Sequence, residues 1–242
     1  MSAQLFSLRS AFCLAALLFH RGETVAQSPA LSPHQITHVY QDEPCYSPDG
    51  KKILFVNDDD GPANVYVMNA EGRPAVRRLT SDSLDADGPV WSPDGTLIAF
   101  AGKEHGGPRE IYIMSADGSN LRQLTHDQVQ DMHPSWSPEG SRILYTTTRD
   151  SPDQKNPVSW GTYSIRLDGG NQTSIFGPNG INTYASLSPD GSKLLFRRKT
   201  DGGRNSQVFV MNVDGTRVRK SDQFASVRPV SVLVTRRETD CF

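Results

Sequence analysis

The chain repeats one four-residue turn motif, Ser-Pro-Asp/Glu-Gly, four times, at intervals of 45, 45 and 51 residues. The repeated positions are Ser47, Pro48, Asp49 and Gly50; Ser92, Pro93, Asp94 and Gly95; Ser137, Pro138 and Gly140, with Glu139 between them; and Ser188, Pro189, Asp190 and Gly191. A nearly fixed period of this length predicts an array of one supersecondary unit. The repeated residues are therefore interpreted as structural.

Each repeat contains the same succession of strand signals. An alternating apolar run follows the turn, as in Thr96–Phe100, and a second run with a central aromatic follows a polar loop, as in Glu110–Met114. A further tight turn leads to a short outer strand that ends in Leu124-Thr125 or its equivalent. Period-two alternation and Asp-Gly turns indicate hairpins. Four strands in about 45 residues are typical of a propeller blade, so we predict an all-β fold, a β-propeller with about four recognisable four-stranded blades.

The stretch Pro89–Phe100 has the pattern Pro-x-Trp-Ser-Pro-Asp-Gly-x-x-Ile-x-Phe, which recurs in register in the other repeats. It resembles the blades of the TolB-like, WD-repeat-like β-propeller family, and the resemblance covers residues 36 to about 218. The resemblance implies the propeller fold. It implies much less about function, because this blade serves many roles.

The repeat pattern stops after Val218. Back-translating the tail and reading it one base later restores a Leu-Thr pair and a Trp-Ser-Pro-Asp-Gly motif at the expected spacing. This agreement favours a frameshift near residues 217–220 over a divergent C-terminal strand. Gln35–Thr37 resembles an outer strand without a blade of its own. We therefore expect an incomplete ring from a longer propeller, with blades over residues 35–218 and an aberrant tail over 219–242.

The N-terminal segment has the pattern of an export signal. Arg9 precedes an apolar run, Ala11–Phe19, and Thr24 and Ala26 supply small residues before a possible cleavage site. The run is too short to cross a bilayer. We predict a signal peptide over residues 1–26, a linker over 27–34, and a periplasmic or secreted protein without a membrane span. The alternative is a disordered N-terminal tail.

The charge of the chain limits its partners. It has 25 basic and 27 acidic residues, with no basic stripe. Such a balance argues against a nucleic-acid partner held by bulk electrostatics. We predict no cofactor and no resident metal.

Polar residues cluster just before each predicted inner strand. The candidates for a ligand site are Asp42, Glu43, Asp87, Asp131 and His133. In a propeller these equivalent positions converge on one mouth of the central channel, where carboxylates and a histidine can hold a polar ligand or a cation. Alternatively, the same side chains cap turns and line a wet channel.

The sequence favours an exported, non-enzymatic propeller scaffold that binds a protein or saccharide partner on one face. Resemblance also suggests two enzyme alternatives. A propeller that gates a hydrolase would need an α/β-hydrolase domain, and a polysaccharide lyase with a metal in its channel would need several histidines, of which His133 is one candidate. A non-functional fragment is a further alternative.

Overall fold

The computed structural model describes residues 42–221, except 60, 72–75, 105, 156, 178–179 and 201–204. These residues form sixteen strands in four antiparallel four-stranded sheets. Sheet one contains β1 (Asp42–Tyr46), β2 (Lys52–Asn57), β3 (Asn64–Asn69) and β4 (Arg77–Arg78); sheet two contains β5 (Asp85–Trp91), β6 (Leu97–Lys103), β7 (Arg109–Ser115) and β8 (Arg122–Gln123). Sheet three contains β9 (Asp131–Trp136), β10 (Arg142–Thr147), β11 (Gly161–Arg166) and β12 (Thr173–Phe176); sheet four contains β13 (Asn182–Leu187), β14 (Lys193–Thr200), β15 (Asn205–Asn212) and β16 (Arg219–Lys220).

Each sheet is one blade, and its strands lie side by side in chain order. The first strands of successive blades, β1, β5, β9 and β13, contact one another in turn, so they are the inner strands. The predicted all-β fold and the four-stranded blades are therefore confirmed. Among the described residues, blades one and four do not pack against each other as successive blades do.

Apolar side chains on alternate strand positions form the contacts between blades. On β6, Ile98 and Phe100 belong to a cluster shared with blade one, whereas Ala99 and Ala101 belong to a cluster shared with blade three. A third cluster joins blades three and four around Phe196. Because strand side chains alternate between faces, β6 contributes to the cores on both sides of its blade.

The repeated turn is held by its own side chains. In blade two the Ser92 hydroxyl donates to Asp94 (2.6 Å) and accepts from the Leu97 N–H (2.9 Å). Gly95 closes the turn with φ of 72°, a conformation that disfavours other residues. The pyrrolidine of Pro48 in blade one lies 3.5 Å from the position that a Gly95 Cβ would take, so turns of neighbouring blades also touch.

Most of the aromatic residues that recur in the repeats are buried. Trp91, Phe100, Tyr112 and Phe196 lie in the core. Trp136 is half-buried, since its indole N–H reaches out to the Val90 carbonyl of the preceding blade at 3.3 Å. Phe209 is also half-buried.

Several sequence-based expectations fall outside the described residues. They are the signal peptide over 1–26, the linker over 27–34, the strand at Gln35–Thr37 and the tail beyond residue 221. The described part of the chain contains no helix with the length and apolar character that crossing a membrane requires.

Candidate ligand site on the inner strands

Each inner strand carries a β-bulge at the same repeat position. The register shifts between Asp42 and Cys45 in β1, and equivalent shifts interrupt β5, β9 and β13. A bulge places one extra residue on one strand of a pair and bends that strand. The residues at the four equivalent positions are Glu43, Gly88, His133 and Tyr184.

All four bulge residues have a left-handed backbone. Their φ angles are 53° at Glu43, 60° at Gly88, 52° at His133 and 55° at Tyr184. Glycine adopts this conformation freely, but bulky residues do so at a cost of roughly 1–2 kcal/mol. Three of the four blades therefore keep a large polar or aromatic side chain where glycine would be easier to accommodate. We call Glu43, Gly88, His133 and Tyr184 the bulge ring.

Two pairs of bulge-ring residues contact each other across neighbouring blades. The Glu43 carboxylate accepts a hydrogen bond from the Gly88 N–H. The rings of His133 and Tyr184 lie 3.8 Å apart at their centroids, with 38° between their planes. The Arg197 guanidinium lies 4.6 Å from the Tyr184 ring centroid, and its Nε donates to Thr183 at 3.0 Å.

The bulge ring thus combines a carboxylate, an imidazole and a phenol, with a guanidinium beside it. Tyr184 is 47% exposed, while Glu43 and His133 are half-buried. An exposed aromatic ring with adjacent hydrogen-bonding groups suits a ligand that has both flat apolar and polar surfaces.

Among the predicted acidic candidates, Asp87 contacts a cation of its own blade. Asp87 lies 3.6 Å from the Arg109 Nε, and Arg109 also pairs with Asp85 at 3.0 Å. These carboxylates thus compensate a cation within their own blade. The Asp42 backbone opens β1 opposite Val56.

Asp131 lies between blades two and three. Its side chain is fully buried, and its carboxyl group is within 4.8 Å of carboxyl oxygens from Glu110 and Asp127. Burial raises the pKa of Asp131 to about 7, and the Glu110 charge adds to this rise. The Thr147 and Thr125 hydroxyls are near enough to Asp131 to lower its pKa and so oppose this rise. In the described structure, however, neither hydroxyl reaches hydrogen-bond geometry with the Asp131 carboxyl group.

A groove of about 410 Å³ lies where the loops of blades one and two meet. Its lining includes Asp58, Asp82, Asp85, Lys103 and Glu104. Asp85 opens β5, so the groove is at the end of the blade where the inner strand begins.

Two contributors to the site were missed by sequence reasoning. Tyr184 occupies the position of His133 in the repeat, three residues before the Trp136 equivalent, and aligning the blades would have identified it. Arg197 has no such signal, because its place beside Tyr184 depends on the pairing of β14 with β13.

The comparisons with known proteins point to one propeller family. The model of the TolB beta propeller domain matches residues 36–156. TolB from Acinetobacter baumannii is 23% identical with a TM-score of 0.63, and the match covers 75% of this chain and 43% of that one. A putative TolB from Agrobacterium tumefaciens is 23% identical with a TM-score of 0.61, over 72% of this chain and 62% of that one.

An oligogalacturonate lyase from Vibrio parahaemolyticus is similar in fold, with 20% identity, a TM-score of 0.54 and coverage of 73% of this chain and 50% of that one. No match was found among curated protein sequences. The present chain spans 43% and 62% of the length of the two TolB structures, so these similarities concern the propeller. The family model covers half of the sequence, and its range includes blades one and two. The chain therefore belongs to the TolB β-propeller domain family.

Proposed function

We propose that this chain is an exported, non-enzymatic propeller scaffold that binds a protein or saccharide partner across the face that carries the bulge ring. The observation that carries this proposal is the repeated left-handed bulge, which retains Glu43, His133 and Tyr184 despite their backbone cost. Strained residues that persist at equivalent places are typical of ligand sites.

The contacts within the bulge ring support a stacking role for Tyr184. Its ring is held by His133 and by Arg197, yet 47% of the residue is exposed. An aromatic ring oriented in advance loses little conformational entropy when a sugar ring or a peptide side chain stacks on it. Arg197 can in addition donate hydrogen bonds to an acidic or carbonyl group of the partner.

Binding experiments can test this proposal directly. The purified chain would be titrated by calorimetry with neutral and acidic oligosaccharides, including oligogalacturonides, and separately with peptide pools. Tyr184→Ala and Arg197→Gln should each weaken binding at least about 10-fold, which corresponds to roughly 1.4 kcal/mol. Tyr46→Ala is the matched control, because Tyr46 is similarly exposed at 51% but lies outside the bulge ring.

The two arms separate the partner classes. Saturable binding of oligosaccharides alone identifies a saccharide partner, and saturable binding of peptides alone identifies a protein partner. Binding that is equally tight in Tyr184→Ala contradicts the proposed site. Cleavage of the oligogalacturonides during the titration would contradict the non-enzymatic role and favour the lyase alternative.

Export is a separate part of the proposal and has its own test. Residues 1–26 fused to a reporter enzyme that is active only outside the cytoplasm should produce activity in a bacterial host. Removal of Ala11–Phe19 should abolish that activity, because this apolar run is the part of a signal peptide that the export machinery recognises. Activity that persists without the run would contradict the prediction.

A further inference from the structure

The junctions between blades provide an internal comparison that singles out Asp131. Six residues before the turn serine, the same repeat position is Ala86 in blade two, Asp131 in blade three and Asn182 in blade four. All three residues are buried. Ala86 has no polar side-chain atom, and the Asn182 amide is hydrogen-bonded, to the Trp160 carbonyl at 3.3 Å and from Arg198 at 2.7 Å. In the described structure, neither carboxyl oxygen of Asp131 has a hydrogen-bond partner.

The polar residues around this position also differ between the two junctions. At the junction of blades one and two, Thr80 donates to Asn64 at 2.8 Å, and the Asn64 amide donates to Asp82 at 3.1 Å. These three side chains satisfy one another's hydrogen bonds, because the Asn64 amide has both donors and an acceptor. One negative charge is present, and Arg78 pairs with it.

At the junction of blades two and three, carboxylates replace the neutral residues. Glu110 takes the place of Asn64, Asp127 that of Asp82, and Asp131 that of Ala86. Glu110 accepts from Thr125 at 2.6 Å and from the Gln128 N–H at 3.0 Å, and Asp127 pairs with Arg149. Three carboxylates therefore face one guanidinium, and an ionised carboxylate has no proton to donate to its neighbours.

Tyr145 is an independent sign of a missing partner at this junction. The aromatic five residues after the turn glycine is Phe55, Phe100 and Phe196 in the other blades, and only blade three has a hydroxyl there. That hydroxyl is buried without a hydrogen-bond partner in the described structure. It lies close enough to Asp131 for the carboxylate charge, after burial, to raise the pKa of Tyr145.

We infer that Glu110, Asp127 and Asp131 form a binding site for one divalent cation between blades two and three. The three ligand atoms lie within 4.8 Å of one another. Calcium binds oxygen ligands at about 2.3–2.6 Å, so ligands on opposite sides of it are separated by up to about 5 Å. Carboxylate oxygens select hard cations such as Ca²⁺, Mn²⁺ or Mg²⁺. The cation would join two blades through side chains from both.

The test uses the full chain after removal of cations by a chelator. Calorimetric titration with Ca²⁺, Mn²⁺ and Mg²⁺ should show saturable binding of one ion per chain for at least one of them, together with a rise in Tm of several degrees. Asp131→Ala and Glu110→Asn, which introduce the residues of the neighbouring junction, should each weaken binding at least about 10-fold. Asp82→Asn, at the matching position between blades one and two, should leave binding unchanged.

Two results would overturn the inference. One is the absence of saturable binding for all three cations, which would leave Asp131 as a buried carboxylic acid. The other is equal affinity in the unaltered chain and in the variant that combines Asp131→Ala with Glu110→Asn. If that variant fails to fold, the amide NMR signals of Gln128, Asp131 and Tyr145 in the unaltered chain decide the question. These signals should shift during the cation titration only if the cation binds beside them.

Discussion

The imidazole of His133 lies against the ring of Tyr184, with centroids 3.8 Å apart, although the two residues belong to different blades. Both residues are at bulge positions with φ above 50°. The contact therefore joins two inner strands at the place where each strand leaves regular geometry. The contact leaves Tyr184 47% exposed.

The ring contact should contribute modestly to stability. A double-mutant cycle with His133→Ala and Tyr184→Ala should give a coupling free energy of about 0.5–1.5 kcal/mol, as measured for aromatic pairs. Urea unfolding of the four proteins provides the values. Tyr46→Ala combined with His133→Ala is the control and should show no coupling, so coupling there would indicate an indirect effect.

Gly102 should tolerate no larger residue. A Cβ at this position would lie 2.8 Å from Cδ2 of Tyr112, a side chain that is itself buried. Gly102→Ala should therefore lower the free energy of unfolding by about 1–3 kcal/mol through overpacking. At Gly107 the nearest atom is 3.6 Å away and φ is not positive, so Gly107→Ala is the matched control for thermal unfolding. Equal effects would contradict the packing explanation.

The repeated turn should make stability depend on acid pH. The Ser188 hydroxyl bonded to Asp190 at 2.6 Å is the main cause that holds the pKa of Asp190 at about 2. Because this pKa lies below the ordinary value of 3.8, the interaction contributes stability above about pH 4 and loses it as pH falls towards 2.

Ser188→Ala removes that hydroxyl and tests the expected pH dependence. The difference in Tm between the unaltered chain and the variant should be largest above pH 4 and should shrink towards pH 2. Ser206→Ala, an exposed serine on β15, is the control and should show no such trend. A difference that is constant across this range would contradict the assigned hydrogen bond.

Asp131 should destabilise the chain when no cation is present. In a buffer with chelator at neutral pH or above, Asp131→Ala should raise the free energy of unfolding by about 1–3 kcal/mol, because a buried carboxyl group without a hydrogen bond is costly. Asp85→Ala, which removes an ion pair with Arg109 at the start of β5, should not be stabilising. Chemical denaturation measures both. A loss of stability in Asp131→Ala would show that the carboxyl group has a favourable partner.

Local features of this fold could be predicted from the sequence because they depend on residues close together in the chain. The Ser92 hydroxyl bonds to Asp94 and to the Leu97 N–H, both within five residues of it. The turn can therefore be recognised from its local sequence. Period-two alternation likewise predicts that Ile98 and Ala99 face different blades. The regular spacing of these signals was sufficient to predict four blades of four strands.

The environment of the candidate site residues was decided only by the tertiary structure. In a regular strand, Asp131 and His133 would share a face because they are two residues apart. The bulge between Met132 and Ser135 adds one residue opposite β10 and breaks the alternation. His133 therefore meets Tyr184 of blade four, whereas Asp131 meets Glu110 and Asp127 of blade two. A single strand does not specify its register against another, so these partners depend on how the blades pack.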